Sequence, residues 1–254
     1  MFYKLIYALL LGALYFSLHA SQLTHPAVIF ASANNKFVLP IFLEHFYQKY
    51  PDAKVMIKYG SSGDLKNSIV NGENYDIFLA ANSDYPQEVY AVKKAITPPR
   101  EYAKGSLILF IPKDSALHQK ELTVLNNKNI RHIIIANSAT APYGLAAIEV
   151  LKNVKLFETL KHKISYSTDI AGVIESVIWY DNAGFLSKSA VQSLPKAYRK
   201  EGVNWIEIDS HLYTPIIQSY VVSEEGSKNS NVIKFLEYLH SDEGQNIYHK
   251  FGYK

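Results

Sequence analysis

The sequence predicts an α/β fold built from mainly parallel, buried strands, and three observations lead there. Short β-type apolar runs alternate with helical patterns along the chain. The runs are continuous rather than alternating, which marks strands covered on both faces. Small or hydroxyl-bearing residues repeatedly stand where a strand ends and a helix starts.

Taken in order, Ala27 to Ala31 reads as a strand, followed by a helical pattern from Val38 to Tyr50. Pro40 inside that pattern either bends the helix or marks its true first turn. Val55 to Tyr59 precedes a helical Asp64 to Asn71, and Asp76 to Ala80 precedes Pro86 to Lys94. Further strands are expected at Ser106 to Ile111, Ile133 to Ala136, Gly184 to Leu186 and Trp205 to Ile208, with a helix over Leu145 to Val154. Apolar residues at 232, 233, 235, 236 and 239 fit one helix face, and a shorter helix is expected over Gln245 to Lys250. No internal repeat or low-complexity linker interrupts this order.

The opening MFYKLIYALLLGALYFSLHA has one charge, Lys4, an apolar core from Leu5 to Leu18, and a small residue, Ala20, for cleavage. Residues 1–20 are therefore expected to be an export signal, the core being shorter than the ~20 residues of a spanning helix. An uncleaved anchor is the competing reading. The remainder of the chain is long enough for one large domain or two modest ones. Cysteine is absent, which sets aside thiolate metal sites, redox motifs and a lipid anchor at the cleavage point. A soluble protein of the periplasm is expected.

Basic and acidic residues number 26 and 23 and are interspersed, so the net charge of +3 forms no basic tract. Nucleic-acid binding calls for a clustered positive face and is not expected. The 19 tyrosines and 12 phenylalanines are scattered and read as packing residues.

Chemistry concentrates at three strand-to-helix junctions: Phe30 to Asn35, Gly60-Ser61-Ser62-Gly63, and Ile135 to Gly144. A helix N-terminus presents unpaired amides and partial positive charge, a ready anion site. Small residues there are expected to leave room for the anion to reach the amides. Each junction also has a plain structural reading: Ser61-x-x-Asp64 as a capping box, Asn34 or Asn35 as a cap, and Ala141-Pro142-Tyr143-Gly144 as a turn into a helix. Their joint occurrence favours a ligand, because open α/β sheets bind ligands beyond the carboxyl ends of their strands.

Catalytic patterns are missing. Position 64 is Asp, so the second junction is not a G-x-S-x-G elbow. The nine histidines show no H-E-x-x-H, and there is no G-x-G-x-x-G or P-loop. An enzyme is not expected, and no cofactor.

The residues resemble the ModA family, the periplasmic molybdate-binding proteins of bacterial ABC importers. The carriers are Ile29 to Asn34, Tyr59 to Leu65, Tyr75 to Ala81, Leu107 to Lys113, Ala136 to Gly144 and Phe251-Gly252-Tyr253. The resemblance runs from about Ala27 to Tyr253. It implies a two-lobed type II periplasmic binding fold with the ligand cleft between lobes. Residues 21–104 and 218–254 would form the first lobe, and 105–217 an inserted second lobe.

It also implies an oxyanion held by neutral donors at Asn34, Ser62, Tyr143, Ile170 and Ser187, with Asn35 a possible neighbour. Tyr143 falls at the binding position of the third turn, and Ile170 would donate through its backbone amide. Ser187 departs from the family, where many members carry a tyrosine with longer reach. The implied ligand is molybdate, with tungstate beside it, bound without direct protein–metal ligands. The implied partners are a membrane permease and its ATPase, and the protein a monomer. Charged hydrogen bonds contribute ~1.5–3 kcal/mol each, so five supply roughly 8–15 kcal/mol before costs, enough for micromolar capture. Lys58 is expected to point away from the second turn. Competing readings are another oxyanion (sulfate, thiosulfate or phosphate), a serine hydrolase using Ser61 or Ser62, and a receptor for an organic solute.

Overall fold

A computed structural model describes residues 25–112, 122–180 and 182–254. The expected export signal and Lys113 lie outside these residues. The first part of the chain gives Ala27–Ser32 (β1), Leu39–Lys49 (α1), Val55–Gly60 (β2), Ser62–Val70 (α2), Ile77–Ala80 (β3), Asp84–Ala91 (α3) and Arg100–Gly105 (β4). The middle gives Leu107–Phe110 (β5), Ile133–Ala136 (β6), Pro142–Asn153 (α4), Phe157–Leu160 (α5), Ile164–Ser167 (β7), Ile170–Trp179 (α6), Ala183–Ser187 (β8) and Trp205–Glu207 (β9). The chain closes with Ile216–Val222 (β10), Ser230–Leu239 (α7) and Asp242–Lys250 (α8).

Two five-stranded sheets result, ordered β2-β1-β3-β10-β4 and β7-β6-β8-β5-β9. Ser106 alone separates β4 of the first sheet from β5 of the second, and the chain returns to the first sheet with β10. This is the expected two-lobed α/β architecture. The sheets are mixed, however, rather than mainly parallel. Strands β1, β2 and β3 pair in parallel, as do β6, β7 and β8, but β10 runs antiparallel to β3 and β4. Likewise β5 runs antiparallel to β8 and β9. The antiparallel strands β5 and β10 are the first elements reached after each crossing between sheets. They enter from the connecting side, against the direction of the helix-linked strands.

Period-two burial explains the continuous apolar runs. Ile29, Ala31, Ile77 and Leu79 pack on one face of the first sheet, against Phe42, Phe46, Phe235, Tyr238 and Tyr248. Phe30, Phe78, Ala80 and Val221 point the other way, toward Leu65, Ile69 and Val89. Phe42 is fully buried, with ring centroids 5.2 Å from Phe235 and 4.9 Å from Tyr238. Truncating such a ring costs ~3–5 kcal/mol. The second lobe has its own core, from Leu107 and Ile133 to Phe185 and Ile206.

Pro40 stands in the first turn of α1, where its missing N–H is harmless. Helix α2 begins two residues earlier than expected, because Ser61 caps it, and α8 begins at Asp242 behind a Ser241 cap. Strands β4, β7 and β10 were not expected from pattern. Of β4 only Tyr102 and Ala103 are buried, and Gln218 and Ser219 interrupt the apolar run of β10.

Candidate functional site

Between the lobes lies a tight cavity of about 10 Å³, walled by the starts of four helical segments. Ser32, Ala33 and Asn34 come from the junction after β1, and Ser61 and Ser62 from the junction after β2. Ala141, Pro142 and Tyr143 open α4, Asp169 and Ile170 open α6, and Ala81 completes the wall. All three junctions singled out in the sequence therefore meet here, joined by a fourth at Asp169-Ile170.

The two serines after β2 divide their work. Ser61 Oγ donates to Asp64 Oδ2 at 2.6 Å and accepts from the Asp64 amide at 3.2 Å, a reciprocal cap. Ser62 Oγ accepts from the Ala81 amide at 3.0 Å, so its own proton is free for a guest. Both side chains are buried.

Backbone amides supply the other donors. Pro142, which has no N–H, opens α4, and the amide of Tyr143 after it has no acceptor within the helix. The Asp169 carboxylate caps α6, accepting from the amides of Ala171 at 2.9 Å and Gly172 at 3.1 Å. That leaves the Ile170 amide, the first of the helix, toward the cavity. Pattern reading missed Asp169, an acidic residue in the wall of a site expected to take anions. Its signal was local: an Asp directly before an apolar helical run is a cap.

Asn34 lines the cavity, but its carboxamide is committed elsewhere. Nδ2 donates to Gln218 Oε1 at 2.8 Å and to the Tyr253 hydroxyl at 2.7 Å. Asn35 does not line the cavity. Its side chain donates to Ser32 Oγ and the Tyr102 hydroxyl and accepts from Tyr248. Ser187 also stands outside the wall, fully buried, its hydroxyl accepting from Ser189 Oγ at 2.9 Å.

The expectation that the glycines of the second turn make room for an anion is corrected by their neighbours. A Cβ on Gly60 would meet the Leu65 side chain at 3.3 Å. A Cβ on Gly63 would stand 2.9 Å from Thr140 Cα of the opposite lobe. These residues are small so that their own helix and the facing lobe can approach.

Among the described residues no lysine, arginine or histidine lines the cavity. Lys58 indeed turns away, donating to both Glu73 oxygens at 2.6 Å and lying over the Phe30 ring. Burial raises the pKa of the nearby phenols, Tyr253 to about 12 and Tyr143 also well above its usual value, so both remain neutral donors. Among the described residues no three His, Asp or Glu side chains form a metal-holding group. The donors of the site are uncharged N–H and O–H groups at helix starts, and the one carboxylate in the wall, Asp169, is spent capping α6.

A model of the bacterial extracellular solute-binding protein family matches residues 27–254. The molybdate-binding protein ModA of Azotobacter vinelandii is 29% identical over 209 residues, covering 82% of this chain and 81% of that protein. ModA of Rhodobacter capsulatus is 28% identical over 203 residues, covering 78% and 77%. Among solved structures, the Azotobacter vinelandii periplasmic molybdate-binding protein superposes with a TM-score of 0.80 at 26% identity, covering 91% of this chain and 99% of that one.

Proposed function

This chain belongs to the bacterial extracellular solute-binding protein family, and from that premise we propose that it captures molybdate, and tungstate with it, in the periplasm. It then delivers the anion to a membrane permease driven by an ATPase. The role is that of a transport receptor, with no chemistry performed on the guest.

One observation carries this reading: the first turns holding Asn34, Ser62, Tyr143 and Ile170, two from each lobe, wall a single cavity free of basic side chains among the described residues. An oxyanion there receives charge-assisted hydrogen bonds from preorganised donors. Four such bonds supply roughly 6–12 kcal/mol before ordering and desolvation costs. The partial positive ends of α2, α4 and α6 add to this, since anions are favoured at helix N-termini. At about 10 Å³ the free space is far below the ~300–1,000 Å³ of pockets for organic ligands, which disfavours an organic guest. A serine hydrolase finds no support, because among the described residues no histidine lines the cavity and the Ser61 hydroxyl is spent on Asp64.

Calorimetric titration with sodium molybdate, repeated in excess sulfate, tests the proposal. Saturable binding at a 1:1 ratio that survives excess sulfate is expected. Absence of heat with molybdate, or its abolition by sulfate, would overturn the choice of anion.

A further inference from the structure

A buried polar network lies directly behind the cavity and spans both lobes. From the first lobe it includes Asn34, Gln218 and Tyr253; from the second, Tyr143, Ser187 and Ser189, all nearly or wholly inaccessible. Asn34 ties Gln218 to Tyr253. The Tyr253 hydroxyl stands 3.3 Å from Ser189 Oγ, whose one proton has the Ser187 hydroxyl at 2.9 Å and the Asn34 carbonyl at 3.4 Å as acceptors.

Tyr143 enters this network from the other side. Its hydroxyl sits where a Cβ on Gly105 would stand, and Gln218 Nε2 is 3.1 Å from the same point. Its hydroxyl is also hydrogen-bonded to that of Tyr253. Gly105 is the last residue of β4, one residue before the chain enters the second sheet, so this seat is on the connection between lobes. A side chain other than hydrogen at 105 would fill it.

We infer that Tyr143 is a positioning residue that couples anion capture to lobe closure, its backbone facing the cavity while its hydroxyl docks on Gly105, Gln218 and Tyr253. The inference rests on reading the cavity as the anion site. The first turn of α4 carries the donor amide, and the ring fixes that turn relative to the first lobe. Separation of the lobes pulls the hydroxyl from its seat and strips buried groups of a partner. Closure restores the bonds and aligns the amide over the guest in one movement. The guest stabilises the closed state because only there do donors from both lobes converge.

Because the chain has no cysteine, Glu44→Cys on α1 and Glu175→Cys on α6, both exposed, accept a fluorescent donor–acceptor pair. Lobe separation is then read with and without molybdate, and molybdate release is followed by stopped flow. Tyr143→Phe is expected to release molybdate several-fold faster, on the order of fivefold for one lost buried hydrogen bond. It is also expected to show a larger mean lobe separation without ligand. Gly105→Ala, which keeps the hydroxyl but blocks its seat, should reproduce both effects and serves if Tyr143→Phe does not fold. Release rate and ligand-free separation equal to the parent in either folded variant overturn the inference. Failure of the parent to bind molybdate overturns the functional reading instead, and the ligand-free separations still decide whether Tyr143 ties the lobes.

Discussion

The amide of Gly63 in the first lobe donates a 2.8 Å hydrogen bond to the carbonyl of Thr140 in the second. The rim of the cavity is thus closed by backbone touching backbone, and the Tyr85 hydroxyl adds a second bridge to Ala139 O at 2.9 Å. A methyl group at 63 would press on the Thr140 main chain, which cannot swing aside as a side chain could. Gly63→Ala is expected to weaken molybdate binding roughly tenfold, within the ~1–3 kcal/mol typical of overpacking. Thermal unfolding without ligand should change little, because the open form relieves the contact. Calorimetry and melting curves on the same variant check both halves.

Ser61 and Ser62 are adjacent but should respond differently to alanine. Ser62→Ala removes a hydroxyl with a free proton and is expected to cost ~1–3 kcal/mol of anion affinity. Ser61→Ala removes a helix cap, expected to cost ~1 kcal/mol of stability with a smaller effect on binding. Equal affinity losses in the two variants would contradict this division of labour.

Acid should act away from the cavity. Burial pushes the Glu207 carboxyl up, but bonds from Lys188 and Ser106, with the charges of Lys188 and Lys254, outweigh it and hold its pKa below the usual range. A depressed folded pKa contributes stability that is present above the unfolded value, about 4.3, and is lost as pH falls through the folded one. Denaturant melts at descending pH should therefore show a loss of stability below about pH 4.3 that Glu207→Gln reduces. Behind the cavity wall burial raises the phenol of Tyr143 well above its usual value, and that of Tyr253 to about 12. Neither changes charge near neutrality, so these phenols give anion affinity no dependence on pH between about 6.5 and 9.

Much of the site was legible because a helix start has a local signature. Ser61-x-x-Asp64, Pro142 at the head of α4 and the residues after β1 can each be read within a few positions of the chain. What could not be read is where side chains go once the lobes meet. Asn34 and Asn35 look alike in sequence, yet one lines the cavity and the other is consumed by Ser32, Tyr102 and Tyr248. Ser187 ends its strand as expected but faces Ser189. Gly63 appeared to leave space for a guest, and only the position of Thr140, far along the chain, shows otherwise. In the fold, β4 and β10 escaped because polar residues interrupt them at the place where the lobes join.

The central claim is that uncharged donors at converging helix starts hold the anion, and anomalous diffraction at the molybdenum edge from crystals grown with molybdate tests it most directly. The account predicts one peak in the cavity, with oxyanion oxygens within hydrogen-bond distance of Ser62 Oγ and of the amides of Tyr143 and Ile170. An empty cavity, or a molybdenum peak held by lysine or arginine side chains elsewhere, would contradict it.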